Sequence, residues 1–135
     1  MIFTTYYNHK SYSKMVQEGK PLYAISRSFP KWLEIPKENH LKILAPSQTL
    51  FKKSFEMPME EFSVEYTKEL EIKKELIEPI IRELNEKNAI LTCYCKNYNE
   101  CHRSVLAEYI KNNFGIKVDE LSKKTSTVQP EELLI

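Results

Sequence analysis

Glycine is nearly absent from this sequence: only Gly19 and Gly115 occur in its 135 residues. Both follow segments with helical spacing, and a left-handed residue commonly ends a helix, so we predict that both are helix C-terminal caps. A phosphate-binding P-loop and a dinucleotide-binding fingerprint each require several glycines in one turn. The sequence therefore excludes a P-loop NTPase and a standard NAD-binding domain.

Long apolar runs and an excess of one charge are also missing. No stretch approaches the roughly 18 apolar residues of a membrane helix, and the first residues do not form a secretory leader. The formal net charge is +1, which gives no general field for holding nucleic acid. We therefore expect no membrane association, and the charge disfavours a nucleic-acid partner.

Cysteine occurs three times, as Cys93, Cys95 and Cys101, all within one short segment. Secreted disulfide scaffolds use an even number of cysteines spread along the chain. Clustering in one turn instead predicts reduced thiols and a cytoplasmic location.

Short apolar runs alternate with segments of helical spacing. The predicted strands cover residues 2–6, 22–27, 89–93 and 116–118. The predicted helices cover residues 12–18, the region after Pro58 with a kink or break at Pro79, and the segment after residue 101. Residues 28–58 contain four prolines and predict a long irregular excursion. In the helical region, we expect one apolar stripe of Leu76, Ile77, Ile80, Ile81 and Leu84.

Alternation of strands and helices favours right-handed crossovers and a parallel sheet covered on both faces. The predicted fold class is α/β, a three-layer Rossmann-like sandwich with a small, mostly parallel sheet. We expect residues 1–121 to form a single domain and residues 122–135 to form a C-terminal tail.

In parallel α/β sheets, ligands bind beyond the carboxyl ends of the strands. This rule predicts one pocket, built from three strand ends and the start of the helix after residue 101. The predicted ligand-binding residues are Tyr6, Ser26, Arg27, Cys93, Arg103 and Ser104. Unpaired backbone N–H groups at a helix start attract anions, so we expect a small anionic ligand, a nucleotide or a phosphorylated metabolite.

The predicted pocket also contains groups for chemistry. Arg27 and Arg103 form an expected clamp for phosphate or carboxylate. Cys95, Cys101 and His102 are the predicted catalytic residues, as thiol nucleophiles and as an acid or base. Neighbouring residues on a helix project about 100° apart, so we expect no direct Cys101–His102 pair.

The same residue types have simpler interpretations. An arginine near a helix start often pairs with a carboxylate, here Glu108, or with backbone carbonyls, and Cys93 inside a strand fits a core residue. If Arg103 holds the ligand instead, Arg103→Ala abolishes binding with little loss of fold.

Metal binding is another interpretation of Cys93-x-Cys95-x5-Cys101-His102, which offers four ligands of the types that zinc prefers. The spacing matches neither a zinc finger nor a zinc ribbon, and adjacent ligands on one helix strain a tetrahedron. We therefore assign no metal ligand and no cofactor.

The blocks around the cysteines resemble the domain-of-unknown-function family 488. They are Leu91-Thr92-Cys93-Tyr94-Cys95-Lys96, Cys101-His102-Arg103 and Leu106-Ala107-Glu108-Tyr109-Ile110. Residues 2–7, 25–32 and 44–47 resemble a short subgroup of that family, so the resemblance covers about residues 2–121.

The resemblance implies a Rossmann-like sandwich and supplies no reaction. It also implies that the pocket contains Arg27, Cys93, Cys101, His102 and Arg103. Cys95 stands where the family pattern has an acidic residue, which implies an altered activity or a new thiol site.

These observations predict an enzyme-like pocket at the Cys-His-Arg turn that binds a small anionic ligand. A non-catalytic module that binds a ligand or a protein, and a zinc-stabilised domain, are the alternatives. The sequence leaves open whether the protein is an enzyme.

Overall fold

The computed structural model describes residues 1–8 and 11–122, and these ranges contain one sheet of four parallel strands. The strands are β1 (Ile2–Tyr6), β2 (Leu22–Ala24), β3 (Ile90–Cys93) and β4 (Val118–Glu120). Their order across the sheet is β2-β3-β1-β4, so β1 and β3 lie at the centre. The predicted parallel sheet is therefore confirmed, and the carboxyl ends of its strands share one edge.

Five α-helices accompany the strands within the described residues. They are α1 (Ser11–Gln17), α2 (Gln48–Ser54), α3 (Met59–Ile72), α4 (Lys74–Glu86) and α5 (His102–Phe114). Short 3-10 turns occur at Lys37–Asn39, Lys42–Leu44 and Tyr98–Glu100. In the part of the chain that the structure describes, no helix combines the length and apolar character needed to cross a membrane.

Side chains of the strands alternate between two apolar cores, as the pleat of a strand requires. Ile2, Leu91 and Cys93 lie in the larger core, which α2, α3, α4 and α5 cover. Phe3 and Ile90 lie in the smaller core on the other face, which α1 and the chain after β2 cover. Helices on both faces of a parallel sheet confirm the predicted Rossmann-like α/β sandwich.

The predicted strand and loop boundaries need correction. The second strand ends at Ala24, not at residue 27, because the chain turns away and the carbonyl of Ala24 accepts a hydrogen bond from the Leu41 N–H. The last strand begins at Val118, where pairing with Ile2 of β1 starts, and Ile116 lies before it. Residues 28–58 are not wholly irregular, because Ser47 caps α2 within them.

The helical region after Pro58 breaks at Lys73, between α3 and α4, and Pro79 lies inside α4. Ile77 and Ile81 of the predicted apolar stripe are buried, whereas Leu76 is 65% exposed. Residues four apart share a helix face, and Leu76 projects about 100° away from Ile77.

Both glycines have positive φ, 95° at Gly19 and 66° at Gly115. Gly115 is the left-handed C-cap of α5, as predicted. Of the predicted tail, residues 123–135 lie outside the described residues.

Candidate functional site

Two cysteine sulfurs meet at the carboxyl edge of the sheet. Cys93 ends β3 and Cys101 directly precedes α5, and their Sγ atoms lie 2.9 Å apart. Both are buried, and all three cysteines, each within a described range, are free thiols. Cys95 is exposed. The structure therefore places the Cys93 and Cys101 thiols in contact in the core and presents Cys95 at the surface.

The ring of His102, the first residue of α5, is held at both nitrogens. Nε2 lies 2.8 Å from the carbonyl oxygen of Ile25, and Nδ1 lies 3.9 Å from Sγ of Cys101. A carbonyl oxygen only accepts hydrogen bonds, so Nε2 carries the proton and the Nδ1 lone pair faces the sulfur.

This contact corrects the expectation that Cys101 and His102 point apart. Cys101 is the N-cap of α5 and has an extended backbone, with φ −120° and ψ 147°. The 100° step between neighbours applies only inside a helix. The extended cap residue lets both side chains reach one place.

Burial and mutual contacts shift the pKa values of these groups. Burial, followed by the hydrogen bond with Cys93, raises the pKa of Cys101 to about 12. Burial also raises the pKa of Cys93, but the hydrogen bond from Cys101 and the charge of Arg103 outweigh it, and the net shift is downward. The hydrogen bond with Cys101, then burial, raises the pKa of Cys95. Burial lowers the pKa of His102 to about 4, so its ring is neutral at pH 7.

Arg103 is fully buried, and its five N–H donors all meet protein acceptors. Nε donates to Oε1 of Glu120 at 2.9 Å, and Nη2 donates to Oε2 at 3.1 Å. Nη1 donates to Sγ of Cys93 at 3.3 Å and to the carbonyl of Cys95, and Nη2 also donates to the carbonyl of Lys96 at 3.2 Å. The guanidinium thus fixes the cysteine loop against the sheet.

The predicted two-arginine clamp is therefore not formed, because Arg103 faces the core and has no donor left for a ligand. The simpler interpretation of Arg103, pairing with a carboxylate and with backbone carbonyls, is correct, but the carboxylate is Glu120 and not Glu108. Arg27 is partly exposed, and its Nη1 donates to the carbonyl of Pro46 at 3.2 Å.

The remaining predicted ligand-binding residues are spread around this cluster. The ring of Tyr6 lies 5.9 Å from Cζ of Arg103. Ser26 is buried and hydrogen-bonded to the hydroxyl of Tyr7 and the carbonyl of Ser28. Ser104 Oγ donates to the carbonyl of Cys101 at 2.8 Å. The hydrogen bonds of Ser26 fix the chain just after β2, and the hydrogen bond of Ser104 fixes the start of α5.

A cavity of about 360 Å³ opens beside the cysteines and His102. Cys95, Glu100 and His102 line one side. The rest of the lining is mainly apolar and consists of Pro46, Phe51, Ser54, Phe55, Met57, Met59 and Phe62. The dimensions suit a small molecule, since ligand pockets typically measure about 300–1,000 Å³.

Sequence reasoning missed most of this cavity wall. Phe51 and Phe55 lie in and just after α2 with their ring centroids 5.3 Å apart, and their four-residue spacing was the available signal. Glu100 is the charged residue among the described residues that line the cavity. The cavity thus combines an aromatic and methionine wall with a thiol, a carboxylate and an imidazole.

A comparison with family profiles finds DUF488-N3a, described as the Active DUF488-N3 subclade, over residues 10–114. No match is found among curated proteins or solved structures. The matched range includes all of the Cys-His-Arg turn and covers more than three quarters of the chain. That description names no substrate or reaction, but it confirms the resemblance seen in the sequence, and the chain belongs to the DUF488-N3a subclade of the DUF488 family.

Proposed function

We propose that this protein is an enzyme that binds a small molecule in the cavity beside the Cys-His-Arg turn. The molecule combines a flat or apolar part with an anionic group, as a nucleotide does. The observation that carries this proposal is the cavity of about 360 Å³, which Cys95, Glu100 and His102 line together with mainly apolar residues.

The apolar part of the ligand is matched by Phe51, Phe55 and Met59. Phe51 is 45% exposed and Phe55 is 77% exposed, so both rings have free surface to offer. Aromatic side chains pack well against flat rings, and methionine adapts to irregular shapes. A nucleobase fits this description.

For the anionic group of the ligand the proposal relies on Arg27, which lies outside the cavity lining, next to Pro46. This side chain is partly exposed and donates to the carbonyl of Pro46, which lines the cavity. A guanidinium has five donors, so the bond to Pro46 leaves others for phosphate oxygens. Arg103 supports the pocket indirectly by holding the carbonyls of Cys95 and Lys96.

The chemistry is assigned to the polar side of the cavity. Cys95 places an exposed thiol at the cavity, and its raised pKa keeps this thiol protonated at pH 7. In an addition to an electrophilic carbon of the ligand, the S–C bond replaces the S–H bond, the proton passes to the Glu100 carboxylate, and the displaced π electrons stay on the ligand. His102 also lines the cavity, and its hydrogen bond to the Ile25 carbonyl fixes its ring.

Binding is tested by calorimetry of the reduced full chain with nucleoside monophosphates, the matching nucleosides and inorganic phosphate. We expect one monophosphate to bind at least tenfold more tightly than its nucleoside and than phosphate alone. Arg27→Ala removes that tenfold advantage, which is about 1.4 kcal/mol. Phe51→Ala weakens nucleoside and monophosphate equally, and Arg82→Ala on the distant α4 surface is the matched control.

Catalysis is tested by mass spectrometry of the best-binding compound after incubation with the wild type and with Cys95→Ser. A product that forms only with the wild type supports an enzyme. Tight binding without any turnover supports the non-catalytic binding module instead. Equal affinity for every nucleoside and monophosphate in wild type and Arg27→Ala contradicts the proposed ligand class.

A further inference from the structure

Cys93, Cys101 and His102 bring three metal-ligating atoms into one small volume, all within 4.8 Å of one another. We infer that these residues bind a divalent cation of the zinc class and leave one coordination position open towards the cavity. The inference rests on the proposed function at one point, that the cavity admits a small molecule to the open position.

The interatomic distances need only a small adjustment for a tetrahedral ion. With zinc–sulfur bonds of about 2.3 Å and zinc–nitrogen bonds of about 2.0 Å, two sulfurs lie about 3.8 Å apart and a sulfur and a nitrogen about 3.6 Å apart. The Cys101 Sγ to His102 Nδ1 distance is already 3.9 Å. The Cys93 and Cys101 sulfurs, 2.9 Å apart, have to separate by about 1 Å. The Cys93 sulfur and the His102 nitrogen, which lie within 4.8 Å of each other, have to approach to about 3.6 Å. Rotations about the Cα–Cβ bonds of the two cysteines supply both movements.

The orientation of His102 is independent support for a metal ligand. Its Nε2–H donates to the Ile25 carbonyl at 2.8 Å, so the other nitrogen faces the sulfurs without a proton. Histidines that bind metals commonly donate their second ring N–H to a carbonyl or carboxylate, which fixes the ring and its tautomer.

The surroundings also suit the charge of such an ion. A divalent cation with two cysteine thiolates has no net charge, and the adjacent Arg103–Glu120 ion pair is neutral as well. The Nη1 of Arg103 donates to Sγ of Cys93 at 3.3 Å and orients that sulfur. Few net charges are then buried, which avoids the large desolvation cost of an unpaired ion.

Three protein ligands and an open fourth position are typical of catalytic zinc sites, whereas structural sites are closed by four. Cys95 lies outside the three-residue set, at the exposed side of the cavity, and His102 lines that cavity. An ion held by these three residues would act as a Lewis acid or would lower the pKa of a bound water next to a molecule in the cavity. The objection that adjacent ligands on one helix strain a tetrahedron does not apply, because Cys101 is an extended cap residue.

The test uses the reduced, chelator-treated full chain and metal ions alone. We expect one Co²⁺ per chain, with near-ultraviolet sulfur-to-metal absorption, and displacement of Co²⁺ by one Zn²⁺. X-ray absorption of the zinc form should show two sulfurs at about 2.3 Å and nitrogen at about 2.0–2.1 Å. Because Cys93 and Cys101 are buried, this wild-type spectrum tests the ligand set without a substitution that could prevent folding.

Variants then identify the ligands. Cys101→Ser and His102→Gln, checked for folding by circular dichroism, should each lower metal affinity at least tenfold. Arg82→Ala, on the exposed surface of α4, is the control and should bind one metal with unchanged affinity. Substoichiometric binding, a shell without two sulfurs, or a shell with a third sulfur overturns the inference.

The outcome is separable from that of the proposed function. Nucleotide binding by a protein that binds no metal leaves the proposed function standing and removes this inference. If the protein binds one metal ion tightly but none of the nucleotides, the metal site stands and the proposed function is removed.

Discussion

Arg103 and Glu120 form a buried ion pair that joins the first turn of α5 to the end of β4. Two hydrogen bonds connect them, at 2.9 and 3.1 Å, and their side chains are 0% and 2% exposed. Glu120 also accepts from Oγ1 of Thr4 at 2.6 Å, so one carboxylate ties β1, β4 and α5 together. The cysteine loop is fixed to this pair through Arg103.

The first prediction is that Arg103→Ala destabilises the fold by about 3 to 5 kcal/mol, because it leaves a buried carboxylate without its partner. Arg103→Lys should recover little of this loss, since an ammonium cannot make two parallel bonds to Glu120. The measurement is urea denaturation followed by circular dichroism. The expectation drawn from the sequence, loss of ligand binding with an intact fold, is thus reversed.

The control for this prediction is the exposed pair of Arg82 and Glu78, which are 2.7 Å apart on α4. Arg82→Ala should change the free energy of unfolding by less than about 1 kcal/mol. If Arg103→Ala is as mild as Arg82→Ala, the buried pair does not stabilise the fold as argued.

The fold was predictable because its signals are local. The short apolar runs at Ile2–Tyr6 and before Cys93 predict buried strands, and the cap at Gly115 ends α5 where expected. The parallel arrangement follows from the alternation of strands and helices. The position of the Cys-His-Arg turn follows in the same way, since a strand and then a helix flank it.

The features that the sequence did not predict depend on contacts between distant residues or on where a helix begins. Glu120 lies 17 residues after Arg103, in another strand, and no spacing rule connects them. The Cys101–His102 contact depends on whether Cys101 is inside the helix or caps it, and helix ends are the least certain part of a sequence pattern. Part of the apolar cavity wall comes from α2, which lies in the proline-containing stretch of residues 28–58 that predicts an irregular chain.

The second prediction concerns thiol accessibility. Reduced native protein treated with excess iodoacetamide should slowly gain one adduct per chain, at Cys95, because this thiol is exposed but has a raised pKa, whereas Cys93 and Cys101 are 1% and 0% exposed. The unfolded protein should gain three. Peptide mapping by mass spectrometry identifies the site, and Cys95→Ser should abolish the native reaction. Rapid native labelling of Cys93 or Cys101 is the contrary result.

The third prediction links the α2 cap to the cavity. Ser47 Oγ accepts from the Leu50 N–H at 3.1 Å and donates to Oε2 of Glu69 at 2.5 Å. Ser47→Ala should therefore cost about 1 to 2 kcal/mol of stability and loosen the helix that carries Phe51. Ser47→Thr keeps the hydroxyl and should retain most of the stability.

The measurements for Ser47 are urea denaturation and the nucleoside affinity described above. We expect Ser47→Ala to weaken nucleoside binding, and Ser47→Thr to leave it near the wild-type value. Unchanged affinity in a measurably destabilised Ser47→Ala protein means that α2 does not form the ligand wall.

The last prediction is a loss of stability at alkaline pH that depends on Tyr109. Its hydroxyl donates to Oε2 of Glu71 at 2.8 Å, and burial, followed by this bond, raises the pKa of Tyr109 in the folded state. Above about pH 10 the unfolded chain releases this proton while the folded chain keeps it. The unfolded state then binds fewer protons, so the free energy of unfolding falls as the pH rises. Tyr109→Phe should cost about 1 kcal/mol at pH 8 and a smaller amount at about pH 11, measured by urea denaturation.

Tyr94→Phe, at a 54% exposed position, is the control and should show no such convergence with the wild type. A constant difference between the wild type and Tyr109→Phe across this range would mean that the Tyr109 hydroxyl titrates alike in the folded and unfolded chains.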